Sequence, residues 1–194
     1  EVPLSEVGPG QVLIKMLGAS INPSDFGMIM GSYGRKKELP AVAGREGVGE
    51  IMEIGKNVNH LNPGQWVQFP DALGTWQEAC IANAVGLKVL PEGLPLEMAA
   101  TLFINPPTAW RLLHDFVELK SGDWIIQNAA NSAVGQYVMQ LAKIYGFHTV
   151  NVVRRDNLNK FVEEAGGDVC VVGGAGLSER VKTATDNAEI RLAI

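Results

Sequence analysis

The segment from Asp123 to Arg155 restricts what this chain can fold into more than any other part of it. An apolar run, Trp124-Ile125-Ile126, enters a turn of small residues, Asn128-Ala129-Ala130-Asn131-Ser132-Ala133-Val134-Gly135, which opens a helical segment. A second apolar run, Thr149 to Val153, ends in Arg154-Arg155. Strand, tight turn, helix and strand is the arrangement that takes up dinucleotides. Small residues let the backbone approach a pyrophosphate, and the helix N-terminus offers it unpaired N–H groups. An acidic side chain after the second strand accepts from a ribose 2′-hydroxyl, whereas arginine there suits a 2′-phosphate. Arg154-Arg155 therefore favours NADPH over NADH. Plainer readings stay open. Of the glycines in the usual fingerprint only Gly135 remains, so the segment can be an ordinary strand-to-helix turn with no phosphate on it. Arg154 and Arg155 can be solvated loop charges, and Asp156, directly after them, can serve a ribose.

Composition excludes several classes. The chain has 194 residues, 46% hydrophobic and 19% charged, which suits one large or two small globular domains. A net charge of -5 disfavours general affinity for nucleic acid, although a local basic pocket is compatible with it. No apolar run approaches the roughly 20 residues of a membrane helix, so no membrane partner is expected. The two cysteines, Cys80 and Cys170, stand far apart, which points to a reducing compartment and not to a disulfide scaffold. The first residue, Glu1, is not methionine, which leaves a removed or unrecorded targeting segment open.

From Val2 to about Pro91 the chain reads as short strands, Gln11 to Met16, Gly47 to Ile54 and Trp66 to Phe69, broken by Pro9-Gly10, Asn22-Pro23 and Pro63-Gly64. Beyond Pro91 the texture changes. Helices are predicted over Pro95 to Ala100 and Pro107 to Val117, then the β-α-β unit, a helix from Leu158 to Ala165, a strand Val169 to Val172, a helix Ser178 to Thr185 and a strand Ile190 to Ile194. Such alternation implies a parallel sheet. The expected fold is α/β: a β-rich domain over residues 1–93, and the first half of a doubly wound Rossmann sheet over residues 94–194. A full sheet of that kind carries about six strands, so the chain is expected to be a fragment of a longer protein, with little or no activity alone, rather than a complete protein whose sheet a partner chain finishes.

Taken together, these segments resemble the medium-chain dehydrogenase/reductase superfamily, which joins a GroES-like β domain to a Rossmann domain. The resemblance rests on Pro9-Gly10-Gln11-Val12-Leu13, Ile21-Asn22-Pro23-Ser24-Asp25, Ala43-Gly44-Arg45-Glu46-Gly47-Val48-Gly49, Gly64-Gln65-Trp66-Val67 and Gly122-Asp123-Trp124-Ile125-Ile126. Within it the chain is most similar to the zinc-free 2-enoyl thioester reductases of fatty acid synthesis. Three segments carry that narrower likeness: Asn22-Pro23-Ser24-Asp25 leading to Gly31-Ser32-Tyr33-Gly34; Asn105-Pro106-Pro107-Thr108-Ala109-Trp110; and Gln127 to Ser132 with Val152-Val153-Arg154.

The metal expectation can be reached independently. A catalytic zinc needs about three thiolate, imidazole or carboxylate ligands, and a structural zinc needs four. Cys80, Cys170, His60, His114 and His148 stand at no ligand spacing, and Gly44-Arg45-Glu46 occupies the ground where zinc-dependent relatives carry Gly-His-Glu. No metal is expected, and the histidines read as surface or core residues.

Without a Lewis acid, another group must answer the charge created when hydride adds to the β-carbon of an enoyl thioester. A phenol keeps its proton at neutral pH, and the resemblance puts the family's catalytic tyrosine at Tyr33. Spacing alone makes Tyr33 only a loop aromatic. The resemblance also implies that Asn105 and Thr108 contact the nicotinamide end of NADPH, that Asn131, Ser132, Ala133 and Val134 hold the pyrophosphate, and that Arg154 takes the 2′-phosphate. Arg155 and Asp156 stand in swapped order relative to the family's usual Arg-Asp-Arg, which leaves their separate roles open. Asn105 also has the plainer reading of a helix cap, and Trp110 can line an acyl pocket or, more simply, fill core.

The expected function is NADPH-dependent reduction of trans-2-enoyl thioesters on coenzyme A or acyl carrier protein, with Tyr33 as proton donor. Alternatives are a zinc-free NADPH quinone reductase and a non-catalytic NADPH-binding protein. The family implies a homodimer, and the expected compartment is a bacterial cytoplasm or, in a eukaryote, the mitochondrial matrix.

Overall fold

The computed structural model describes residues 4–34, 36–68 and 73–194. Contacts divide the chain into two units, Glu1–Ile104 and Asn105–Ile194.

In the first unit, alternation of apolar and polar residues turns Gln11–Ala19 into a strand, β1, whose Val12 and Ile14 are wholly buried. It pairs antiparallel with β2 (Gly47–Ile54), through Val12 to Ile54 and Ile14 to Ile51. Between them in sequence lies a short helix, α1 (Pro23–Ile29). Strands β3 (Trp66–Gln68), β4 (Ala79–Asn83) and β5 (Lys88–Val89) complete a five-stranded antiparallel sheet in the order β4-β1-β2-β3-β5. Val12, Ile14, Ile51, Val67 and Ala82 fill its core. The strand expected to end at Phe69 is β3, whose described part stops at Gln68; Phe69 lies outside the described residues.

Helix α2 (Leu96–Ala100) packs on this same unit, with Ala99 and Ala100 against Val48 and Leu90. The compact units therefore divide at Ile104, eleven residues beyond the domain boundary expected at residue 93. Helical propensity marks where strands stop. Burial of an alanine face decides which core a helix joins.

In the second unit come α3 (Asn105–His114), β6 (Trp124–Gln127), α4 (Ala133–Tyr145) and β7 (His148–Val153). A 3-10 turn (Asp156–Leu158), α5 (Asn159–Glu164), β8 (Val169–Val172), α6 (Leu177–Ala184) and β9 (Ile190–Ala193) follow. All pairings are parallel, in the order β8-β7-β6-β9. The chain thus winds outward from β6 to β8 and then crosses to the other side of β6. That reversal is the topological switch point of a doubly wound sheet, and ligands bind outside the carboxyl ends of the strands there. Both faces are covered: Ile125 and Leu192 pack with α3 and α4, while Ile126, Val150 and Val171 pack with α6.

Candidate functional site

The turn leaving the carboxyl end of β6 is shaped by three residues. Ala129 adopts a left-handed backbone, φ 45°, in a turn where the usual fingerprint carries glycine. Ser132 is the N-cap of α4 and its hydroxyl accepts from the Gly135 N–H at 3.1 Å. Gly135 is buried against the turn, and a Cβ there would overlap the Ala130 carbonyl and lie 2.9 Å from the Ala130 Cα. Only glycine lets the helix sit this close to the turn. The N–H groups of Asn131, Ala133 and Val134 donate to no acceptor among the described residues, and the side chains of Asn131, Ser132 and Ala133 are exposed. Small residues, open amides and a helix N-terminus converge on one surface, which fits a pyrophosphate.

Beneath the turn runs a buried polar chain. Gln127 donates to Asn151 Oδ1 at 2.7 Å and to the Gly135 carbonyl at 3.1 Å. Asn151 donates to Thr149 Oγ1 at 2.9 Å, and Thr149 bonds Asp168 through both its N–H and its hydroxyl. Sequence marked Gln127 only as part of a motif and did not mark Asn151 or Thr149 for this chain; a polar residue at Asn151 inside an apolar run was the available signal.

At the end of β7, Arg154, Arg155 and Asp156 are all exposed and form no side-chain hydrogen bond or ion pair among the described residues. Arg155 is the N-cap of the 3-10 turn that Asp156 opens. Asn105 begins α3, two residues ahead of the predicted Pro107 start, and is 7% exposed. Its amide makes no capping bond among the described residues, so the plain capping role does not apply. Thr108 is exposed on the first turn of that helix. Trp110 departs from the core role expected of it: it is 46% exposed and stacks on His114, ring centroids 4.5 Å apart. Spaced one residue from the buried Ala109, it falls on the helix's outer face.

In the first unit, Tyr33 lies just beyond α1 in a loop pinned by hydrogen bonds from the Ser32 and Tyr33 N–H groups to the Gly27 carbonyl. Its hydroxyl accepts from Arg45 Nη1 at 3.0 Å, and the Arg45 guanidinium carbon stands 4.8 Å from its ring centroid. Next to Arg45, Glu46 is buried and its side-chain oxygens accept from three donors: Ser20 Oγ at 2.8 Å, Asn22 Nδ2 at 3.1 Å and the Ile104 N–H at 2.7 Å. Gly44, on the other side, takes φ 85°, and a Cβ there would overlap Thr75 Oγ1. Tyr33 belongs to the first unit and the expected cofactor residues to the second.

The histidines have local partners. His60 meets the Ala84 carbonyl, His114 the Trp110 carbonyl, and His148 meets Asp168 and stacks on Trp124. Among the described residues no group of three or more His, Cys, Asp or Glu could hold a metal, and no helix is long and apolar enough to cross a membrane. Cys80 and Cys170 are free thiols, and burial pushes both above the ordinary thiol range.

Comparison with known proteins supports this architecture. Residues 8–93 match the alcohol dehydrogenase GroES-like domain. The mitochondrial enoyl-[acyl-carrier-protein] reductase of Homo sapiens is 50% identical over 152 residues, 78% of this chain and 41% of that protein. The chain thus spans about two fifths of the length of that relative. Among solved structures, a complex of Etr1p with NADP and crotonyl-CoA superposes with a TM-score of 0.88 at 30% identity, over all of this chain and 62% of that one. Etr1p is also known in a heterodimer with Etr2p from Candida tropicalis, described as mitochondrial 2-enoyl thioester reductase. A putative NADPH:quinone reductase from Bacillus thuringiensis superposes with a TM-score of 0.86 at 30% identity, over 98% of this chain and 58% of that one.

Proposed function

Because this chain belongs to the medium-chain dehydrogenase/reductase family, alongside its zinc-free 2-enoyl thioester reductases, we propose that it serves the NADPH-dependent reduction of trans-2-enoyl thioesters. The observation that carries the substrate class is likeness along the whole chain to a protein solved with NADP and crotonyl-CoA. The cofactor reading is supported by Asn131, Ala133 and Val134 amides and Arg154 and Arg155 side chains that have no partner among the described residues. We assign the pyrophosphate to residues 131–134, the 2′-phosphate to Arg154 with Arg155 and Asp156 beside it, and the nicotinamide end to Asn105 and Thr108.

NADPH, when bound, supplies the hydride that the β-carbon of the enoyl group receives. The chain's own residues then govern the charge and the proton. Two guanidinium groups, without ion-pair partners among the described residues, can pair with a doubly charged phosphate and outweigh the single charge of Asp156 beside them. The left-handed Ala129 and the close Gly135 keep the turn low enough for backbone amides to reach phosphate oxygens. Tyr33 gives its hydroxyl proton to the α-carbon as the enolate collapses, and the phenol oxygen keeps the electron pair of the broken O–H bond.

The test is a Tyr33→Phe variant in a polypeptide carrying this sequence at the full length of its relatives. Turnover of a medium-length enoyl-CoA is expected to fall about 10²-fold or more, as for loss of a general acid. Turnover within about threefold of the parent overturns the assignment of Tyr33.

Likeness to the quinone reductase supports a second reading. Comparing quinone with enoyl thioester turnover separates the two, and tight NADPH binding without oxidation by either would favour a non-catalytic binding role. Coenzyme A as carrier has support in the crotonyl-CoA complex, acyl carrier protein in the name of the human relative. We further propose a homodimer, and a mitochondrial matrix location if the source is eukaryotic or a cytoplasmic one if it is bacterial.

A further inference from the structure

We propose that Arg45 is the positioning residue of the proton donor: it directs the Tyr33 O–H away from the protein and stabilises the phenolate left after proton transfer. This inference rests on the reading of Tyr33 as the acid.

The argument begins with hydrogen-bond inventory. A guanidinium has only donors, so in the 3.0 Å contact between Arg45 Nη1 and Tyr33 Oη the phenol oxygen must be the acceptor. The one proton of the phenol is then excluded from that direction. Among the described residues the hydroxyl has no second partner, and the Tyr33 side chain is 39% exposed. The O–H is therefore left to donate outward, which is the state a proton donor needs. The same guanidinium lies 4.8 Å from the ring centroid, so the phenol is held at its oxygen and by cation–π attraction.

Rigidity of the arginine supports the role. Arg45 sits between Gly44, whose backbone and surroundings admit no side chain, and Glu46, whose carboxylate is fixed by three hydrogen bonds. Directly after them the chain enters β2. The backbone on either side of Arg45 is thus fixed, and the half-buried guanidinium is already seated against the phenol oxygen and ring, so its charge is in place when the phenolate forms. During turnover the Tyr33 O–H bond breaks as the bond between hydrogen and the substrate α-carbon forms. The electron pair stays on the phenol oxygen beside Arg45, and water returns a proton before the next cycle. Arg45 thus bonds more strongly to the product state of the tyrosine than to its ground state, and that difference lowers the barrier.

The experiment uses the polypeptide at the full length of its relatives, with NADPH and a medium-length trans-2-enoyl-CoA. Arg45→Met, which keeps much of the stem and removes the charge, is expected to lower kcat at least about tenfold with the KM for NADPH within about twofold, and to raise the solvent deuterium isotope effect on kcat. Arg45→Lys, a point charge without the planar fork, should recover part of the rate and serves as the folded comparison if Arg45→Met is unstable. In a Tyr33→Phe background, Arg45→Met should cost less than about twofold more, because the two residues act as one unit. If Tyr33→Phe cripples turnover while both Arg45 variants stay within about threefold of the parent, the proposal is overturned and the tyrosine reading stands. If Arg45→Met costs as much without the Tyr33 hydroxyl as with it, Arg45 acts elsewhere and the proposal also fails. If Tyr33→Phe leaves turnover unchanged, both readings fall.

Discussion

Gln127 and Asn151 face each other in register on the adjacent parallel strands β6 and β7, and the Gln127 amide donates to Asn151 Oδ1 at 2.7 Å. The same amide donates to the Gly135 carbonyl in the first turn of α4. Two nearly inaccessible side chains, 2% and 0% exposed, thereby tie the sheet to the helix N-terminus that carries the proposed phosphate site. Replacing Gln127 by Leu leaves Asn151 and the Gly135 carbonyl each short of one buried hydrogen-bond partner. We expect a loss of about 2–3 kcal/mol in urea unfolding, and weaker NADPH binding because the turn loses its tether. Unchanged stability in Gln127→Leu would show that the network is replaceable by packing.

Gly135→Ala probes the close approach itself. The added methyl would overlap the Ala130 carbonyl, so either the helix or the turn must retreat. The expected outcome is a drop in NADPH affinity of about tenfold or more by fluorescence titration, with a stability loss of about 1–3 kcal/mol. By contrast, Ala129→Gly relieves the left-handed alanine and should leave stability equal or up to about 1 kcal/mol higher.

Cofactor choice can be read from thermal stability. A ligand that binds only the folded state raises its melting temperature, by an amount that follows its affinity. NADPH should raise it more than NADH at equal concentration, and replacing both Arg154 and Arg155 by Ser should abolish the difference. Equal shifts for the two cofactors in the unaltered protein would contradict the assignment of the 2′-phosphate.

Glu46 is expected to be among the most sensitive positions of the first unit. Its carboxylate satisfies Ser20, Asn22 and the Ile104 N–H from a site that is 1% exposed. Glu46→Ala strands those donors and should cost about 3 kcal/mol or more in denaturant unfolding, whereas Glu46→Gln should cost less because two of the contacts survive in altered form.

The thiols carry a pH signature. Burial holds Cys80 and Cys170 above the ordinary thiol range when folded, so at mildly alkaline pH the unfolded chain loses these protons first. Their contribution to stability is complete below the unfolded thiol range and is lost as pH rises through the folded values. Cys80, inside the β core, should alkylate slowly at about pH 8 in the native protein and rapidly in urea. Rapid native alkylation of Cys80 would mean that the first unit opens locally.

Much of this architecture was legible along the chain. The strand limits Gly47–Ile54 and Val169–Val172 follow directly from apolar runs bounded by turn residues, and the small-residue turn after Trp124-Ile125-Ile126 announced a dinucleotide-type crossing. Such features are local, because backbone propensity and side-chain period act over a few residues. Strand β5, only two residues long, and helix α1, hidden behind the Asn22-Pro23 turn signal, were not, since neither has a period long enough to read. Sequence determined the two kinds of structure and marked the residues we propose to meet a phosphate. Only the tertiary structure decided that Arg45 caps the Tyr33 oxygen, that Glu46 anchors the neighbouring chain, and that Gln127 meets Asn151. Hydrogen bonds between residues 12, 24 and 58 positions apart depend on register and packing, which no local pattern encodes.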